Sequence, residues 1–144
     1  HHAHIARGIE LVEGRPVYRG LGNGCVVTHA LAPAQDPPAR ADWVERRKKM
    51  FGFEPDPAYP LAPFHPEAVN GMIGRLLWHE DGRIEAGFVP VWFEPPGRPV
   101  PAGERAEAIA SYIAAIGEIG GLPPLRLDRV SEAWALSPSS STDP

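Results

Sequence analysis

Apolar residues in this chain come in short alternating runs broken by proline and glycine, a pattern of strands and loops more than of long helices. Ile9-Glu10-Leu11-Val12 and Pro16-Val17-Tyr18-Arg19 are β-prone runs separated by Glu13-Gly14-Arg15, which predicts a hairpin. Gly20-Leu21-Gly22-Asn23-Gly24 follows, where three glycines in five residues allow a sharp bend or a close backbone approach, and Cys25-Val26-Val27-Thr28 continues as strand. Residues 32–39 read as loop. Asp42 is the expected N-cap of a helix over 43–51, ended by Gly52. Residues 53–66, with five prolines among four aromatic or histidine side chains, exclude a helix interior and a central strand and predict a loop held by its rings.

A second hairpin is predicted from runs at 72–78 and 84–93 around Glu80-Asp81-Gly82-Arg83, Asp-Gly being favoured where both central turn residues take positive φ. Pro90 lacks an N–H, so the second run is expected at a sheet edge or bulged there. Over 103–120, Ala106, Ile109, Ile113 and Ile116 recur at helical spacing, predicting a helix with one face on a sheet. Residues 125–127 and 133–136 form a last strand pair. The polar stretch 137–144 is expected to be a disordered tail, leaving 1–136 as one domain.

Composition narrows the partners. The formal net charge of −4 leaves no basic field for a phosphate backbone, and Arg46-Arg47-Lys48-Lys49 is the one cationic run, so nucleic acid is not an expected partner. Cys25 is the sole cysteine and cannot form an internal disulfide. No apolar run reaches the ~20 residues that cross a bilayer, and the chain is expected to be soluble, with no membrane span. Trp78, Trp92 and Trp134 are assigned to the core, where bulky rings bury most area.

The candidate chemistry lies at the start, "HHAHIARGIE". In an extended segment His2 and His4 project to one side, and two imidazoles so placed suit a divalent metal but are too few to close a site. Terminal histidines also arise as purification tags, and spacing alone leaves both readings open. Further along, His65 and Glu67, two residues apart, are candidate catalytic groups lining a substrate cleft, although a proline-flanked histidine also serves as a loop cap. His29 and His79 are read as surface residues and the Arg46 to Lys49 run as a solvated helix face.

The blocks around the histidines resemble the C-terminal part of the poly-γ-glutamate capsule biosynthesis family, the CapA or PgsA type. His2-Ala3-His4 matches its His-Pro-His, Gly8-Ile9-Glu10 its Gly-Ile-Glu, Gly14-Arg15-Pro16 its turn, and Leu21-Gly22-Asn23 its Leu-Gly-Asn. Residues 51–73 also look like a stretch found in some members. Ala3 departs from the family's proline and Gly24 from its aromatic residue; neither change removes a ligand.

The resemblance implies an α/β fold, here the C-terminal part of a four-layer α/β/β/α metallophosphoesterase-like sandwich, with two β-hairpins and two helices in this chain. It implies that His2 and His4 each reach one ion of a two-metal site (Mn, Fe or Zn). The other ligands would come from an N-terminal portion of the same protein, since the chain has no Asp-x-His, and Gly22-Asn23-Gly24 lacks the histidine of a Gly-Asn-His motif. The intact protein would then be a hydrolase or transferase acting on an anionic polymer, a phosphate ester or an amide, with this chain alone inactive. A non-catalytic scaffold in a capsule polymer synthesis complex is the alternative, and a free-standing β-rich binding module a third reading.

Overall fold

The computed structural model describes residues 4–24, 37–54, 56–59 and 65–139. His2, His29, the predicted strand at 25–28 and residues 140–144 lie outside them. The architecture is mixed α/β: a two-stranded sheet, a five-stranded sheet and two α-helices.

The first hairpin pairs β1 (Ile9–Val12) with β2 (Arg15–Tyr18). Glu13 and Gly14 take φ of 51° and 77°, so the connection is a two-residue turn whose twist matches the strands. The helix predicted at 43–51 is longer. α1 (Pro37–Phe51) begins on a proline pair, whose fixed φ and missing N–H suit a first helical turn. Asp42 is therefore not its N-cap but an interior residue, its carbonyl accepting from Arg46 Nε at 3.3 Å. Arg46, Lys48 and Lys49 are exposed, and Arg47 lies over the Trp43 ring, 5.3 Å from its centroid.

β3 (Asn70–Trp78) and β4 (Ile84–Glu94) form the second hairpin. Its turn differs from the expected one: Gly82 alone in the loop takes positive φ, 83°, and its N–H donates to His79 O, while Asp81 Oδ1 accepts from Arg83 N. Three further loop residues beyond Asp-Gly, His79, Glu80 and Arg83, relax the need for a second left-handed position. β4 is also not an edge strand, the first of the two alternatives that Pro90 suggested, although it is unpaired on one side at that residue. β3 flanks one side; on the other, β7 (Ala133–Pro138) pairs with Gly87 and Phe88, and β5 (Arg98–Pro101) with residues 91–94. Pro90 sits in the gap between these two partners, its carbonyl accepting from Ala102 N at 3.3 Å, so its missing N–H breaks no ladder bond. β6 (Leu125–Val130) completes the order β3-β4-β7-β6, and β7 runs through Ser137 and Pro138, which the sequence assigned to the tail.

α2 (Ala106–Ile119) buries Ala106, Ile109 and Ile113, as its spacing predicted, and Ala110 and Gly117 beside them, while Ile116 is half-buried. That face packs on Met72, Phe88 and Trp134 of the large sheet and on Ala6 and Ile9 of the N-terminal segment. Phe88 and Trp134 stack with centroids 6.2 Å apart. Of the tryptophans assigned to the core, Trp134 is 2% exposed and Trp92 half-buried beneath Arg105, but Trp78 is 76% exposed. It ends β3, an outer strand whose residues from Ile73 to Trp78 are all exposed.

Candidate functional site

The hairpin ladder continues beyond β1 and β2 in the same antiparallel register. Arg7 N donates to Gly20 O at 3.0 Å, Arg19 N to Gly8 O at 3.2 Å, and Ala6 bridges to Leu21. Met72 N donates to Leu21 O at 3.0 Å, tying this extended ladder to β3. Gly22, at φ 85°, is pressed against the same strand: a Cβ there would stand 3.2 Å from Asn70 O and from Gly71 Cα. Only glycine combines that conformation with that approach.

The same register sets His4 opposite Asn23. His4 Nδ1 and Asn23 Oδ1 are 2.9 Å apart, with Asn23 only 5% exposed. The extended geometry expected of the histidines is not present at His4, whose φ is +56°. Alternation along a strand therefore does not govern its direction; the strand starts at Ile9, after a bend. His4 is half-buried. No cluster of three or more His, Cys, Asp or Glu side chains suited to a metal ion occurs among the described residues.

Beside this corner lies an open groove of about 540 Å³, walled by Ile5, Ile116, Ile119 and Leu122 and carrying Arg7 and Arg19. Arg19 also pairs with Glu10. The groove thus offers guanidinium groups on an apolar floor, a surface suited to an anion with hydrocarbon character.

His65 and Glu67 each have structural partners. His65 is the N-cap of the short 3₁₀ helix Pro66–Val69, its Nδ1 accepting from Glu67 N at 3.1 Å, and its ring meets Phe53 edge-on at 4.9 Å. The Glu67 carboxylate accepts from Tyr112 OH at 3.0 Å. Burial, then the Glu67 hydrogen bond and charge, push the Tyr112 phenol well above its usual range, against a smaller opposing effect of Arg7. Tyr59 OH donates to Phe93 O at 2.8 Å, so the proline-rich segment is held in part by its rings, as its composition suggested. His79, half-buried, contacts Glu85 at 2.9 Å. Sequence reasoning missed Asn23 as a partner of His4; the signal was Gly22-Asn23-Gly24, noted as glycine-rich and as an incomplete motif.

No helix among the described residues is long and apolar enough to cross a membrane. Compared with known proteins, the chain matches no family model and no curated sequence.

Proposed function

We propose that the chain is the C-terminal portion of a metal-dependent hydrolase or transferase similar to the poly-γ-glutamate capsule biosynthesis proteins, to which it contributes the ligand pair His2 and His4. The observation that carries this reading is the hydrogen bond between His4 and Asn23, which joins the first and last of the sequence blocks that resemble that family. A metal-ligating histidine typically has its other ring nitrogen held by an oxygen acceptor, and Asn23 Oδ1 supplies one. His4 and its partner therefore fit a metal ligand, and the remaining donors belong to the N-terminal portion.

Divalent ions there supply Lewis acidity for hydrolysis or transfer at a phosphate ester or an amide. Within this chain, Asn23 orients the His4 imidazole, and Arg7 with Arg19 attracts an anionic substrate into the neighbouring groove. In the four-layer sandwich belonging to this proposal, the five-stranded sheet and α2 form one β layer and one α layer.

The test is metal content. In the full-length protein, His2→Ala or His4→Ala is expected to remove bound metal and activity while leaving the circular dichroism spectrum intact; unchanged metal by elemental analysis refutes the assignment. A scaffold role in a polymer-synthesising complex is the second reading. It is favoured by the exposed Ile73, Leu76, Leu77 and Trp78 on β3, an apolar outer strand of the kind that binds other chains. Complex assembly that survives loss of both histidines supports that reading.

A further inference from the structure

Asn23 is a buried polar side chain whose two ends are treated differently. Its Oδ1 meets His4 Nδ1 at 2.9 Å, while its Nδ2 has no hydrogen-bond partner among the described residues. An amide oxygen can only accept, so the contact requires the proton of His4 to be on Nδ1. In a neutral imidazole the second nitrogen, Nε2, then carries the lone pair.

The backbone gives this arrangement little freedom. Asn23 follows Gly22, which is wedged against Asn70 and Gly71, and Leu21 just before is tied to both Ala6 and Met72. His4 itself is in the left-handed region, a conformation histidine adopts more readily than most residues but one that surrounding contacts must still enforce. A packed core alone has no use for a buried amide with an idle N–H₂ group, because an apolar side chain of similar shape would leave nothing unpaired. Orientation of a functional imidazole does account for it.

We infer that Asn23 is a positioning residue that fixes the tautomer of His4, so that His4 offers Nε2, and not Nδ1, to a metal ion. The inference rests on the metal-ligand reading of His4 and adds which atom binds and what holds it. Asn23 touches neither metal nor substrate through Oδ1; it acts through the imidazole. The idle Nδ2 remains as a donor for an oxygen of whatever occupies the corner.

The experiment reads the tautomer directly. In the 144-residue chain with ¹⁵N-labelled histidine, a long-range ¹H–¹⁵N correlation spectrum is recorded at a pH of about 8, where an ordinary imidazole is neutral. His4 is expected to show a protonated Nδ1 and an unprotonated Nε2. Asn23→Asp keeps an oxygen acceptor and should preserve that pattern, whereas Asn23→Leu should abolish it while the other histidines keep theirs. A protonated Nε2 on His4 in the wild-type chain overturns the inference, because it means the amide is turned and donates to Nδ1; so does an unaltered pattern in a folded Asn23→Leu protein. In the full-length protein, which would carry the remaining ligands, metal binding measured by elemental analysis should then be about 10-fold or more weaker in Asn23→Leu. The expected tautomer in a full-length protein that binds no metal refutes the metal reading of His4 while upholding the part played by Asn23, so the two failures are distinguishable.

Discussion

Replacing Gly8 by alanine tests how the N-terminal segment is seated. Gly8 is buried, its φ is not in the left-handed region, and alanine is conformationally acceptable there, so only space is at issue. The added methyl would fall far inside van der Waals contact with Gly117 Cα of α2, 3.0 Å from Gly117 N and 2.9 Å from Leu122 Cδ1. Two of those three atoms are backbone and cannot rotate away. Overpacking costs about 1–3 kcal/mol, and a backbone-on-backbone clash belongs at the upper end, so Gly8→Ala is expected to cost about 3 kcal/mol. The reciprocal change is different. A Cβ on Gly117 would meet Gly8 Cα at 3.3 Å, a tight contact that a small shift relieves, and alanine gains about 1 kcal/mol of helix propensity over glycine. Gly117→Ala is therefore expected to be near neutral. With a urea m-value of about 2 kcal/mol/M, equilibrium unfolding should show a midpoint about 1.5 M lower for Gly8→Ala and little changed for Gly117→Ala. Equal effects of the two substitutions, or a Gly8→Ala midpoint within about 0.25 M of wild type, would refute the packing described between the segment and α2.

Three further outcomes follow from the geometry. All three tyrosines, Tyr18, Tyr59 and Tyr112, are pushed above their usual range, chiefly by burial. Because the folded state keeps these protons after the unfolded chain releases them near pH 10, stability falls as pH rises above 10, and absorbance at 295 nm should rise cooperatively with unfolding and not as a separate step at that pH. Phe88→Ala, at a site with 0% exposure, is expected to cost about 3–5 kcal/mol by calorimetry or urea titration. His65→Ala should cost about 1 kcal/mol through loss of the cap to Glu67 N, and His65→Asn much less; equal losses would show that the ring's contact with Phe53 matters more than the cap.

Local chemistry explains what was legible in the sequence. Glu13-Gly14, the run around Gly82 and the spacing of Ala106, Ile109 and Ile113 are signals carried within a few residues, and the hairpins and α2 formed where those signals lie. Errors arose where a distant partner decides. Pro90 reads as an edge residue until β7 and β5 are seen to leave a gap opposite it. Trp78 reads as core until β3 is seen to be an outer strand, exposed from Ile73 to its end. Asp42 reads as a cap because the proline pair that starts α1 five residues earlier resembles loop. The site was legible in part: the turn at Glu13-Gly14 sets a register that, carried outward past Ala6 and Leu21, puts His4 opposite Asn23, but the left-handed backbone of His4 that shapes the contact is not written in that register.

The five-stranded sheet is the β3–β4 hairpin, with β5 beside β4, joined to the β6–β7 hairpin along a very short seam, the register pairs Gly87 with Ala135 and Phe88 with Trp134. Each hairpin closes within its own stretch of sequence, but the seam links positions far apart in the chain and has two stacked rings as its main fastening. A side chain at position 87 would collide with the Trp134 carbonyl oxygen and prise that fastening apart. Since a lone two-stranded ribbon is marginal in water, each half leans on this seam and on the α2 face that spans Met72, Phe88 and Trp134, and whatever opens the seam strips that face of its common floor.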